Sequence, residues 1–208
     1  MRLYLVRHGQ TPWNAEMKAQ GHVDVALDAT GKDQARLLGE AFRNVRLDVV
    51  LCSDLERARE TAKPLALATG AQLLEQPALR ERSFGEWEGQ SFDIIARRFQ
   101  DAEDQQKIGW HEVRPPGGES FVDVWSRLDP VIEDLRTSRR QTAIVTHGGT
   151  CAIIMAKLMM GNVETARSFR FKNTGVSELI RRPEGQFQLL RYNDLAHLDA
   201  PLLADVAR

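Results

Sequence analysis

RLYLVRHG, Arg2 to Gly9, and TAIVTHGGT, Thr142 to Thr150, decide the fold between them. Each is a short apolar run that stops abruptly on a histidine and a glycine. An apolar run bounded by turn residues reads as a strand buried on both faces. After the glycines of THGGT, a helix is expected from about Thr150 to Met160. A cation, a histidine and a glycine closing a strand allow two readings. One is a polar surface turn. The other is an anion-binding turn at the C-terminal edge of an open α/β sheet, where such sheets bind ligands.

The rest of the chain supplies the layers. Thr30 to Val45 carries Ala35, Leu38, Ala41 and Phe42 at helical spacing. Asp48 to Cys52, DVVLC, is a third buried strand, and Leu55 to Thr69 reads as a helix stopped by Gly70, with Pro64 straining its middle. Gln72 to Glu75 reads as a short strand. Glu119 to Ser138 predicts one helix kinked at Pro130. Ser177 to Arg181 and Gln186 to Tyr192 flank Pro183-Glu184-Gly185 and predict a late antiparallel hairpin. Strands alternating with helices predict a three-layer α/β/α fold. Its sheet is mainly parallel, with an antiparallel edge. Residues 89–118 break the pattern with a short helix, Ser91 to Phe99, and a polar stretch ending in Pro115-Pro116-Gly117-Gly118. They read as a small helical cap inserted over one end of a single domain spanning 1–208. The tail after Leu198 is expected to be loosely held.

Composition narrows the function. Charged residues make up 27% and apolar residues 42% of 208, with a net charge of -1, so nothing in bulk favours nucleic acid or an anionic membrane. An anion site must come from local arginines. Cys52 and Cys151 lie in apolar segments without metal-ligand spacing and read as small buried thiols in a reducing compartment. No run is long enough to span a membrane, and the start lacks the pattern of a signal peptide. A cytoplasmic location is therefore expected. An exposed sheet edge would offer a route to a homodimer.

Four segments could carry chemistry. LVRHGQTPWN, Leu5 to Asn14, offers Arg7, His8 and Asn14, with Gly9 allowing close backbone approach or an unusual φ. SDLERARETA, Ser53 to Ala62, places Arg57 in the first turns of a helix capped by Ser53 or Asp54, although Glu56 and Glu60 could make it a solvated face. THGGT sets His147 before a helix N-terminus, whose N–H groups and dipole favour anions. LRERSFGEWEG, Leu79 to Gly89, contains Glu81 between two arginines, which alone reads equally as a surface ion pair. Together, two histidines and two arginines at one sheet edge suit a phosphoryl group. Two histidines could also bind zinc, but a cation a few Å from an arginine costs roughly 4 kcal/mol at an effective dielectric near 20. No metal or other cofactor is expected.

These pieces, with QGHVDVALDATGKDQA (Gln20 to Ala35), PPGGES (Pro115 to Ser120), NTGVSEL (Asn173 to Leu179) and NDLAHL (Asn193 to Leu198), resemble the phosphoglycerate-mutase-like branch of the histidine phosphatase superfamily. Gln10 stands where many members have Glu, and both types occur. The resemblance implies that His8 takes the phosphoryl group on a ring nitrogen. It implies that Arg7, Asn14, Arg57, His147 and the Gly148 N–H surround the phosphate, with Gln20 and Gly21 at the mouth. Glu81 would be the proton donor. For this His8 must be unprotonated, which two arginines favour, and a backbone carbonyl on its other nitrogen would fix the tautomer.

After Glu81-Arg82 the chain continues Ser83-Phe84-Gly85-Glu86-Trp87-Glu88-Gly89. Cofactor-dependent mutases differ there, so this stretch resembles the phosphatase branch, which includes alpha-ribazole phosphatase and the broad-specificity phosphatases. Arg97, Arg98 and Lys107 could still supply mutase-like contacts. A third alternative is an inactive phospholigand-binding protein. The expected partner is a small phosphorylated metabolite. Phe84, Trp87, Trp110 and His111 are candidates for specificity, or equally for packing of the cap.

Overall fold

The computed structural model describes residues 1–199, so the end of the tail lies outside them. In chain order the elements are β1 (Arg2–Arg7), α1 (Pro12–Ala15), α2 (Ala29–Ala41), β2 (Val49–Cys52), α3 (Glu56–Thr69), β3 (Gln72–Glu75) and α4 (Phe92–Gln106). Then come α5 (Phe121–Arg127), α6 (Asp129–Thr137), β4 (Thr142–Thr146), α7 (Gly148–Leu158), β5 (Val176–Arg181) and β6 (Phe187–Asp194). They form one six-stranded sheet in the order β3-β2-β4-β1-β5-β6. Strands β3, β2, β4 and β1 run parallel; β5 and β6 are antiparallel and complete one side.

Side-chain alternation builds the three layers. Leu3, Leu5, Leu51 and Ile144 face α5, α6 and α7. Tyr4, Val6, Val50 and Val145 face the opposite way, against Leu38 and Phe42 near α2 and Leu65 of α3. Because both faces are covered, β2 and β4 are buried at every position. This is why they read as uninterrupted apolar runs. Truncating one such leucine to alanine would cost roughly 2–5 kcal/mol.

A third, smaller core joins Ala19, Phe84, Trp87, Ile95 and Val113 beneath α4. That helix runs to Gln106, well past the expected Phe99. Its stripe continues through Phe99 and Ala102, and Lys107 closes it in a left-handed conformation, φ 55°. The expected kinked helix from Glu119 to Ser138 is instead two helices meeting at Leu128. Pro130 sits in the first turn of the second, where no backbone donor is required of it. By contrast, α3 continues through Pro64.

Candidate active site

The C-terminal ends of β1, β2 and β4 bring His8, Arg57 and His147 together, although these residues are up to 139 positions apart in the chain. The His8 backbone N–H donates to the Thr146 carbonyl at 2.8 Å, extending the β1–β4 ladder by one step. The two imidazoles lie 5.1 Å apart, centroid to centroid.

His8 is 3% exposed and its Nδ1 is 2.7 Å from the Gly9 carbonyl oxygen. A carbonyl only accepts, so Nδ1 carries the proton and Nε2 keeps its lone pair in the neutral ring. Burial, then Arg57, then Arg7 hold the His8 pKa well below 6.5, against the opposing pull of the Gly9 bond. Gly9 is required for close approach rather than for an unusual φ: a Cβ there would lie 2.7 Å from the Gly31 carbonyl oxygen. The Gly9 N–H is held by the Thr61 hydroxyl at 2.9 Å.

Arg57 is 1% exposed, which excludes a solvated pairing with Glu56 and Glu60. It donates to Gly21 O (2.7 Å), Val23 O (3.0 Å) and His147 Nδ1 (3.2 Å). Burial lowers its pKa to about 10, so it stays cationic near neutrality. Neither Ser53 nor Asp54 caps α3. Leu55 occupies the cap, Ser53 accepts from Leu55 N, and Asp54 pairs with Arg80 at 2.5 Å. The displaced cap shortens the helix start and sets Arg57 at its second residue.

Since Arg57 donates to Nδ1 of His147, the proton of a neutral His147 lies on Nε2. That atom is buried and lacks a partner, as does Arg7 Nε. Buried donors without acceptors are uncommon in proteins, and here two occur in one cluster. Burial and then Arg57 hold the His147 pKa well below 6.5. Arg7 is anchored by Nη1 on the Phe171 carbonyl at 2.8 Å, and its Nε would lie 3.5 Å from a Cβ placed on Gly148.

The α7 N-terminus is divided. Glu81 takes the N–H groups of Gly149 (3.0 Å) and Thr150 (3.2 Å), and also that of Arg82 (3.0 Å). The Gly148 N–H is not among the amides that Glu81 takes. Asn14 accepts from Thr11 N and from Asn173 Nδ2 through Oδ1, so its own NH₂ stays available as a donor. Gln20 is buried with Oε1 unpartnered.

Phe84 and Trp87 are 8% and 7% exposed and belong to the small cap core. Trp110 packs edge-on to Phe121 and beneath Arg167, and His111 packs on Trp110. Sequence reasoning did not single out His22, whose Nε2 bonds the Glu81 carbonyl at 2.8 Å, or Asn173, which donates to both the His8 carbonyl and Asn14. Both stand inside recognised motifs, and only that position could have signalled them. Cys52 and Cys151 are buried free thiols. Among the described residues no cluster of His, Cys, Asp and Glu could hold a metal ion, and no helix is long and apolar enough to cross a membrane.

One sheet edge thus carries two buried histidines, the buried Arg57, the half-buried Arg7 and a carboxylate on a helix N-terminus. The chain belongs to the histidine phosphatase superfamily (branch 1), whose family profile matches residues 3–195. It is 31% identical over 216 residues to "probable phosphoglycerate mutase GpmB" of Salmonella choleraesuis (strain SC-B67), across 100% of both chains. Its fold is similar to a putative alpha-ribazole-5'-P phosphatase from Escherichia coli K-12 (TM-score 0.83, 28% identity, 94% of this chain and 97% of that one). It is also similar to mycobacterial glucosyl-3-phosphoglycerate phosphatase in complex with VO3 (TM-score 0.80, 28% identity, 92% and 98%).

Proposed function

We propose that this chain hydrolyses phosphomonoesters of small metabolites through a phosphohistidine on Nε2 of His8, without a metal. The observation that carries the reading is the Nδ1–H bond to the Gly9 carbonyl in a ring held neutral by burial and two arginines. The Nε2 lone pair attacks phosphorus while the ester P–O bond breaks, and the leaving oxygen takes the proton of the Glu81 carboxyl. Arg7 Nε, His147 Nε2, Arg57 and the Gly148 N–H offset the charge spread over the equatorial oxygens. Water then attacks the phosphohistidine, gives its proton to the Glu81 carboxylate, and the P–N electrons return to His8.

Acid-quench trapping with a labelled phosphomonoester should yield an acid-labile, base-stable phosphoprotein from the wild type and none from His8→Ala. Full turnover by purified His8→Ala would sink the mechanism. A p-nitrophenyl phosphate assay separates the enzyme from a binding protein that has lost turnover.

The mutase reading has support in the names of the curated relatives. Against it, Ser83 to Gly89 folds as a tight turn packed into the cap core, and Arg97, Arg98 and Lys107 are exposed on α4 and at its end, Arg98 stacking on Trp87 at 5.6 Å. Incubation of 3-phosphoglycerate with trace 2,3-bisphosphoglycerate decides: free phosphate supports hydrolysis, and isomerised product without phosphate supports the mutase. With Phe84 and Trp87 occupied in packing, discrimination among substrates falls to Trp110 and His111 of the expected specificity set, together with His22 beside Glu81.

A further inference from the structure

PPGGES, Pro115 to Ser120, contributes nothing to the phosphate cradle, yet it packs along the segment that carries Glu81. Gly118 lies so close to that segment that a Cβ would sit 2.8 Å from Ser83 O and 3.0 Å from Gly85 N. This closeness lets Glu119 pair with Ser83 through its backbone N–H (2.9 Å to Ser83 O) and through its carboxylate (3.0 Å from Ser83 N). The same carboxylate receives Arg127 bidentately, Nε at 3.0 Å and Nη2 at 3.2 Å. Arg127 in turn donates to three carbonyls of the segment: Ala78 (2.6 Å), Arg80 (3.1 Å) and Glu81 itself (3.3 Å). Ser120 caps α5, the helix that delivers Arg127. Gly118 and Glu119 thus meet this segment at Ser83 to Gly85, and Arg127, on the helix that Ser120 caps, meets it from Ala78 to Glu81. Neither Glu119 nor Arg127 contacts His8, Arg7, Arg57 or His147 among the described residues.

We propose that Glu119 and Arg127 are positioning residues that brace the Glu81 carboxyl where it meets the leaving oxygen. The bidentate guanidinium–carboxylate pair is rigid in a way a single lysine contact is not. Misplacing a proton donor by about 1 Å costs on the order of 100-fold in rate. The inference rests on the reading of Glu81 as proton donor, and the test separates the two.

A proton donor matters for a basic alkoxide and little for p-nitrophenolate, which leaves unprotonated. The quantity to measure is kcat/KM, which reports the first phosphoryl transfer, for glycerol 1-phosphate and for p-nitrophenyl phosphate. Arg127→Lys and Glu119→Gln should lower the value for the alkyl ester roughly 30- to 100-fold and that for the aryl ester under about 3-fold. Orthovanadate inhibition should stay within about 2-fold of wild type, showing an intact phosphate cradle. Added to Glu81→Gln, either change should bring little further loss, as expected when one residue acts through another. Glu119→Gln keeps the shape of the side chain and serves if Arg127→Lys does not fold. Should Glu81→Gln discriminate between the esters while both brace variants lose the two activities equally, the brace is overturned and the proton donor stands. Should Glu81→Gln itself treat the esters alike, the proton-donor reading falls and takes the brace with it.

Discussion

Holding two imidazoles neutral inside the protein has a measurable cost in acid. His8 and His147 are 3% and 0% exposed, and both have pKa values well below 6.5 because of burial first and nearby arginines second. In the unfolded chain each takes up a proton near pH 6.5. Between that pH and the depressed folded value, the unfolded state binds more protons, so stability falls as pH falls. Protonation of the unfolded ring sets the ceiling: from pH 8 to 5.5 each histidine costs at most about 1.4 kcal/mol, and the pair at most about 2.8 kcal/mol. His147→Asn isolates one of them, because an amide oxygen can replace Nδ1 as the acceptor for Arg57 Nε. Urea unfolding at pH 8.0, 6.5 and 5.5, in buffers free of phosphate, gives the comparison. Titrations of groups remote from His147 cancel in the difference between wild type and variant. That difference should narrow toward acid, by at most about 1.4 kcal/mol for the His147 ring itself. An unchanged pH dependence in His147→Asn would refute the claim that this ring stays neutral in the fold.

Three further outcomes follow from the geometry. Arg82 lies over the rings of Phe84, Phe99 and Phe121 at 4.4, 4.7 and 4.3 Å, so Arg82→Lys should lower stability by about 1–2 kcal/mol by urea unfolding, and a neutral result would dismiss the stacking. Asn173→Ala frees Asn14 and the His8 carbonyl and should raise KM several-fold while altering kcat less; an equal loss in both would point to a different role. Burial pushes the Cys52 thiol up to about 12 and raises Cys151, so Ellman's reagent should find two thiols only after denaturation. Rapid labelling of the native protein would contradict that burial.

The sheet was readable from sequence because burial on both faces leaves strands with no polar alternation to blur. Thr142–Thr146 was legible to the residue for that reason. Helix ends were less so. The helix expected from Thr30 starts at Ala29, because Asp28 caps it by accepting from Gly31 N, and several polar residues compete for that role locally. At Arg57, spacing alone left a solvated face open, and only the burial against Gly21, Val23 and His147 closed it. The histidines were legible as a pair because each ends a buried strand. The capture of the Gly149 and Thr150 amides of α7 by Glu81 was not, since it depends on how the chain near Leu79 meets the helix. Glu119 and Arg127 act through contacts 36 to 49 residues away, and no local pattern announces those.

The order of strands also sets a timetable. β1 lies between β4 and β5, so the strand that leads into His8 has no parallel neighbour until the ribosome has added about 140 further residues. At ordinary elongation rates that is a wait of roughly 7–30 s. Asn173, which secures the His8 carbonyl, comes later still. During that interval an apolar strand stays unpaired, and chaperones would be expected to engage it. Onset of the proposed activity in a stalled-synthesis series would then mark closure of the sheet centre.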